Sequence, residues 1–141
     1  MTDAHDNRRW IALVLLSLTQ FMLVIDVSIV NVALSTIQED LHFSEANLQW
    51  ILSAYTLAFG GLLLLGGRLG DLFGRRRMFL TGLVVFAAGS ALCGFAQTEV
   101  MLILSRGLQG AGAAIVSPVA LSILTTIFEE GPERNKALGI W

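Results

Sequence analysis

Four long apolar runs, separated by short polar segments, dominate the chain. A bilayer core about 30 Å thick needs roughly 20 apolar residues to be crossed by one helix. The pattern therefore predicts an all-α membrane protein whose connections are short enough to make consecutive helices antiparallel neighbours. The predicted four-helix membrane bundle covers residues 10–128, with spans at about 10–34, 48–67, 78–96 and 100–128.

Polar segments lie on both sides of this bundle, at residues 1–9 and 129–141. The second segment reads EEGPERNKALGIW, in which Pro132 suits the first turn of a helix and apolar residues follow. It predicts a loop and the start of a fifth span. Because a span that stops at Trp141 would be incomplete, we expect the chain to be the amino-terminal part of a longer protein.

A cleaved signal peptide is the alternative interpretation of the first run, because Arg8 and Arg9 precede it. The apolar region of a signal peptide usually has only about 7–15 residues. This run continues past Asp26 to Leu34, with no convincing small-residue cleavage site before that point. A retained membrane span is therefore the favoured interpretation.

The basic residues are distributed unevenly among the polar segments. Apart from Arg106, every lysine and arginine precedes span one, lies between spans two and three, or follows span four. The other two loops contain none. By the positive-inside rule, this distribution predicts a multi-pass protein of the cell membrane with a cytoplasmic amino terminus.

Composition narrows the function classes. Charged residues make up 14% of the chain, against about a quarter in typical soluble domains, and the net charge of −2 gives no indication of nucleic-acid binding. Cys93 is the single cysteine, and His5 and His42 lie far apart, so neither a disulfide within the chain nor a metal site is predicted. With no nucleophile beside a base and no phosphate-binding loop, we predict no catalytic residue, no cofactor and no enzyme activity.

Three polar residues, Asp26, Asn31 and Arg106, lie within predicted spans, where an ionisable side chain costs at least a few kcal/mol unless it meets a partner, water or a substrate path. Counted from the outer ends of their spans, Asp26 lies about 12 Å deep and Arg106 about 9 Å deep, at 1.5 Å per residue. Both charges therefore share one level, which predicts a direct or water-mediated pair. The pair is either a static link between helices or a carboxylate that exchanges a proton, and we favour the second for Asp26.

Glycines are concentrated in two places. In span four, Gly107, Gly110 and Gly112 predict close packing between helices, because small residues let helix backbones approach in lipid. Residues 66–77, GGRLGDLFGRRR, place further glycines among arginines and one aspartate. We expect these glycines to allow a tight turn between close helices.

Three stretches resemble the major facilitator superfamily, specifically its fourteen-span drug:proton antiporter branch. Residues 67–77 resemble the motif between spans two and three, although Leu72 stands where a basic residue is common. DVSIVNVAL, residues 26–34, is similar to the first-span signature, although Ser35 stands where proline is usual. LILSRGLQGAGAA, residues 102–114, resembles the fourth-span motif.

The resemblance implies two six-helix bundles around a central cavity, with two additional central spans, which alternate between inward-open and outward-open states. It implies proton or substrate coupling by Asp26, Arg106, Asn31 and Gln109. It also implies a cytoplasmic gate motif in which Arg75 pairs with a carboxylate such as Glu129 or Glu130. The motif residues are Gly67, Gly70, Asp71, Gly74, Arg75 and Arg76.

Taken together, these observations predict the amino-terminal part of a proton-coupled exporter of drugs or other small hydrophobic compounds. Its expected partners are protons, a small-molecule substrate, the lipid bilayer and the remaining transporter helices. The alternative is a complete four-helix scaffold or interaction module without transport. A small four-span exporter that works as a dimer would also carry a carboxylate in span one, but it does not predict the motif at residues 67–77.

Overall fold

The computed structural model describes residues 3–141, and side chains from residue 7 onward. Within this part the chain forms five helices, of which the first four are long and apolar enough to cross a membrane. The all-α prediction, with four complete spans and the start of a fifth helix, is confirmed. The helices are α1 (Asp3–Leu41), α2 (Glu45–Phe73), α3 (Arg75–Gly94), α4 (Glu99–Ile127) and α5 (Pro132–Ile140).

The helix boundaries follow local capping chemistry. The Ser44 side chain accepts a hydrogen bond from the Asn47 amide at the start of α2, and Thr98 does the same for Met101 at the start of α4. Such N-caps satisfy amides that have no partner within the helix. Because hydrogen-bonded turns continue beyond the apolar runs, α1 and α2 are longer than the predicted spans at residues 10–34 and 48–67.

Helix α4 lies at the centre of the bundle and packs extensively against α2 and α3, but less against α1. Glycines bring these backbones together, since a Cβ at any of them would collide with the facing helix. The order in which the facing residues follow one another along each helix shows that α4 runs parallel to α2 and antiparallel to α3. The facing pairs are Gly66 with Ala114, Gly70 with Val119, Gly110 with Tyr55, Gly82 with Val116, Gly112 with Phe86, and Gly89 with Gln109.

One expectation about glycine is wrong, and another holds only in part. Gly107 does not pack against a neighbouring helix, because a Cβ built there meets nothing within 4 Å. The turn expected within residues 66–77 is confirmed at Gly74, between α2 and α3, but Gly67 and Gly70 take no part in it because α2 continues through them to Phe73. Only Gly74 breaks the helix, with φ of 96°, a conformation that side-chain-bearing residues rarely adopt.

The bundle has two ends, called here the Gly74 end and the Glu99 end. At the Gly74 end, α5 and the start of α1 meet around Phe128, which is fully buried. Trp10 packs edge-on against Phe128 with ring centroids 5.4 Å apart, and Arg9 forms an ion pair with Glu133 at 3.4 Å. These contacts anchor the beginning of α1 to the connection between α4 and α5.

Candidate functional site

Three polar side chains meet between α1 and α4 in the middle of the bundle. Arg106 Nη1 donates to Asp26 Oδ2 at 2.7 Å and to Gln109 Oε1 at 2.7 Å. Gln109 Nε2 donates to Asp26 Oδ1 at 2.6 Å. Arg106 and Gln109 are three positions apart, so they share one face of α4. The three side chains therefore form a closed ring of hydrogen bonds, called here the Asp26 cluster.

The Asp26 cluster lies in the interior of the chain. The side chain of Arg106 is 1% exposed and that of Asp26 is 17% exposed. Gln109 is buried as well. A buried charge is tolerated when it is paired and hydrogen-bonded, and charge-assisted hydrogen bonds of this length are the strong class. The carboxylate is the more accessible of the two charges.

Helix α2 completes the surroundings of Arg106. The guanidinium carbon lies 4.4 Å from the centroid of the Tyr55 ring, and Nε faces the Ile51 carbonyl at 3.4 Å. Tyr55 in turn stacks on Phe59. A cation over an aromatic face is attracted by the quadrupole of the ring. Spacing along the sequence does not show what the Tyr55 ring contacts.

A cavity of about 270 Å³ opens beside the cluster. Asp26, Arg106 and Gln109 line one part of it, together with Cys93 and Ser90 of α3, and apolar side chains form the remaining walls. The thiol of Cys93 lies 3.7 Å from Gln109 Oε1. The cavity thus combines apolar walls with a polar group at one side, which is a common composition for small-molecule sites.

Asn31 lies apart from this cluster. Its Nδ2 donates to the Val27 carbonyl of its own helix at 2.8 Å, and the residue is exposed. The structure therefore brings together three of the four residues predicted to couple proton and substrate, namely Asp26, Arg106 and Gln109. It places Asn31 on another part of α1.

The predicted gate motif lies at the Gly74 end. Arg75 Nη1 donates to the Thr126 hydroxyl of α4, whereas Glu130 pairs with Arg134 at 3.4 Å. The expected pairing of Arg75 with Glu129 or Glu130 is therefore wrong for this structure, because Arg75 meets Thr126 in the last turn of α4 and both glutamates follow the end of that helix at Ile127.

Other members of the motif occupy different settings. Gly67 faces Pro118 of α4 at ordinary contact distance. Asp71 and Arg76 are exposed. Their carboxylate and guanidinium have no hydrogen bond or ion pair within the described part of the chain.

A second polar contact, which the sequence did not indicate, lies at the opposite end of the bundle. Glu99, in the first turn of α4, accepts from the Ser44 amide at 3.1 Å and from Asn47 Nδ2 at 2.7 Å. One carboxylate thus joins the beginnings of α2 and α4. A negative charge is favourable there, because helix N-termini carry partial positive charge.

The side chains from residue 7 onward contain no group of three His, Cys, Asp or Glu that could hold a metal ion. His5, which entered the sequence argument against a metal site, lies outside these described side chains.

Four membrane-length helices around a buried ion pair define a polytopic membrane protein with a polar centre. The chain matches the sequence profile of the Major Facilitator Superfamily over residues 16–141 and belongs to that superfamily.

Its relatives include several resistance and export proteins. It is 48% identical over 136 residues to the puromycin resistance protein pur8 of Streptomyces alboniger, covering 96% of this chain and 27% of that protein. It is 51% identical over 129 residues to the cephamycin export protein CmcT of Amycolatopsis lactamdurans, covering 92% and 26%. The multidrug resistance protein Stp of Mycobacterium tuberculosis is 40% identical over 131 residues, with 93% and 24% covered. The chain thus spans about a quarter of the length of these relatives.

Proposed function

We propose that this chain belongs to a proton-coupled exporter of small organic compounds that works by alternating access. The Asp26 cluster carries the proposal, because it places a partly accessible carboxylate against a buried guanidinium between two membrane-length helices. Ionisable groups in such positions typically mark ion or substrate paths. The relatives support export, since one is named for cephamycin export and others for puromycin or multidrug resistance.

In the proposed cycle, Asp26 alternates between two protonation states. The ionised carboxylate accepts from both Arg106 and Gln109, which ties α1 to α4. Proton binding removes its charge and weakens the bond to Arg106, because charge-assisted hydrogen bonds are roughly twice as strong as neutral ones. Arg106 stays charged throughout, since arginine does not deprotonate in proteins. The link between α1 and α4 therefore depends on the proton bound at Asp26.

The apolar cavity beside the cluster suits a compound with a hydrophobic body. The names of the relatives favour antibiotics and other drugs as the substrate class. The remaining transporter helices are proposed to complete the cavity and to provide the second bundle against which this one rocks. The protein is proposed to lie in the cell membrane with its amino terminus in the cytoplasm, as the distribution of basic residues favours.

The test compares Asp26→Asn with Asp40→Asn in the full-length gene product. Both changes neutralise a carboxylate on α1, but Asp40 is exposed and lies outside the cluster. In everted membrane vesicles with an imposed pH gradient, we expect uptake of puromycin, cephamycin or ethidium by the unchanged protein and by Asp40→Asn. Asp26→Asn should lose gradient-driven uptake.

A measurement of protein amount must accompany this comparison. Leaving a buried charge without its partner typically costs about 3–5 kcal/mol, so the membrane content and melting temperature of Asp26→Asn are compared with those of the unchanged protein. Asp26→Glu provides a second variant that retains the carboxylate. Uptake by Asp26→Asn against a gradient, with an unaltered response to pH, would refute the assignment of Asp26.

The Gly74 end is proposed to act as a cytoplasmic gate that holds the outward-open state. The exposed Asp71 is available to a helix N-terminus of the second bundle, while Arg75 holds α3 to α4 through Thr126. A purely topogenic segment predicts normal transport by Asp71→Asn. Loss of transport with normal membrane insertion, while Arg77→Gln retains transport, would favour the gate.

A further inference from the structure

In the proposed cycle, Asp26 compensates the charge of Arg106 only while its carboxylate is ionised. The guanidinium is 1% exposed, so water cannot compensate it when the carboxylate is protonated. An uncompensated charge in a poorly polarisable interior is costly. Some other group must therefore stabilise Arg106 during the neutral phase of Asp26.

Few charged or titratable groups face this position. Asp26 approaches from α1, Tyr55 from α2 and Cys93 from α3, while Arg106 itself belongs to α4. Among the described residues, Asp26 is the only carboxylate that lines the cavity. Once it is neutral, its carboxyl oxygen is only a weak acceptor, and the other described groups left for Arg106 are the Gln109 amide oxygen, the Ile51 carbonyl and the face of the Tyr55 ring.

The face of the Tyr55 ring lies against the guanidinium, with 4.4 Å between the guanidinium carbon and the ring centroid. Nη2 of Arg106 is buried and has no hydrogen-bond partner among the described residues. That nitrogen therefore depends on non-hydrogen-bond stabilisation. Attraction between a cation and an aromatic face increases when the site is desolvated, as it is here.

Tyr55 is itself firmly held. Its ring is nearly parallel to that of Phe59, with an interplanar angle of 9° and centroids 6.2 Å apart. Its backbone carbonyl lies directly against Gly110 of α4, one position after Gln109. The residue is only 7% exposed. The ring thus has a fixed position relative to the α4 face that carries Arg106 and Gln109.

We propose that Tyr55 is a positioning residue that holds the Arg106 guanidinium in place while Asp26 is protonated, an inference that rests on the proposed proton coupling. The aromatic face serves this purpose, not the phenolic hydroxyl. Without the ring, the carboxylate becomes the main group that neutralises the guanidinium, so Asp26 remains ionised to lower pH.

The experiment uses the full-length gene product with Tyr55→Leu, Tyr55→Phe and the matched control Phe59→Leu. Phe59 is the neighbouring aromatic residue, and its replacement removes a ring that stacks on Tyr55 without contacting Arg106. Gradient-driven uptake of ethidium is measured against pH in everted vesicles. Tyr55→Leu should move the midpoint of the profile to lower pH by about 0.4 to 1.5 units. Tyr55→Phe and Phe59→Leu should retain the original midpoint.

A second measurement does not depend on transport. Infrared difference spectroscopy of the purified protein follows the band of the protonated carboxyl group, with Asp26→Asn used to assign it. The same shift should appear in Tyr55→Leu and be absent from Tyr55→Phe. If the unchanged protein shows no gradient-driven uptake, the proposed function fails, whereas the infrared titration still decides the role of Tyr55.

Three results would overturn the role of Tyr55. An unshifted band in Tyr55→Leu would show that the ring does not affect the pair. An equal shift in Tyr55→Phe would assign the effect to the hydroxyl group. An equal shift in Phe59→Leu would show that general loosening of the packing is responsible.

Discussion

Gly89 is the position at which α3 supports the Asp26 cluster, and Gly89→Ala tests this support. A Cβ at Gly89 would lie 2.7 Å from the backbone nitrogen of Gln109 and 2.9 Å from its Cα, whereas ordinary contact begins at 3.4 Å. The difference between 2.7 and 3.4 Å requires the two backbones to separate by 0.7 Å. Overpacking of this kind costs about 1–3 kcal/mol.

The displacement also reaches the cluster itself. Gln109 donates to Asp26 at 2.6 Å and accepts from Arg106 at 2.7 Å. Because Arg106 and Gln109 share α4, a movement of this helix by most of the required separation would leave their mutual bond intact but stretch the bond from Gln109 to Asp26 beyond about 3.2 Å, the upper part of the usual range. Gly89→Ala should therefore reduce both thermal stability and transport, although residue 89 contributes no side chain to the site.

The assay is thermal unfolding of the full-length gene product in detergent, followed by circular dichroism, together with uptake in vesicles. Gly107→Ala is the matched control, since it also replaces a glycine inside a helix but has nothing within 4 Å of the new Cβ. Both variants gain about 0.5–1 kcal/mol of helix propensity, so their difference isolates the collision. Equal melting temperatures and equal uptake in the two variants would refute the reasoning.

Two further predictions concern the ends of the bundle. Glu99→Ala removes the acceptor shared by Ser44 and Asn47 and should lower the free energy of unfolding by roughly 1–2 kcal/mol. Amide hydrogen exchange of residues 41–48 should accelerate. Unchanged exchange would contradict the link between α2 and α4. Gly74→Ala should destabilise the protein by about 1–3 kcal/mol in thermal unfolding, because φ is 96° at this position. No neighbour lies within 4 Å of the new Cβ, so collision does not contribute. A melting temperature equal to that of Gly61→Ala, whose new Cβ is also free, would show that the backbone is not strained.

The sequence was sufficient to predict the helices and the pair formed by Asp26 and Arg106. The spans follow from apolar length, which depends only on bilayer thickness and helix rise. The contact between Asp26 and Arg106 could be predicted because both depths are measured along helices that run in opposite directions, and each helix fixes depth to within about one turn. Neither argument requires knowledge of side-chain orientation.

Contacts that depend on helix rotation, or on where a helix ends, could not be predicted in this way. The partner of Arg75 is Thr126 and not Glu129 or Glu130, because α4 ends at Ile127 and both glutamates lie beyond that end. The contact between Tyr55 and Arg106 depends on how α2 and α4 are rotated about their axes, which residue spacing does not show. Within residues 66–77 the turn was expected at three glycines but occurs only at Gly74, because glycine permits both sharp turns and close helix packing, and its neighbours in sequence do not distinguish the two uses.

The separation between Asp26 and Arg106 along the chain has a consequence for biosynthesis. The two residues are 80 positions apart, and synthesis at about 5–20 residues per second leaves roughly 4–16 seconds between their additions to the chain. During that interval α1 carries a carboxylate whose partner has not been made. Until α4 is made, the Asp26 carboxylate lacks both Arg106 and Gln109, and an ionisable group without a partner inside a membrane span costs at least a few kcal/mol.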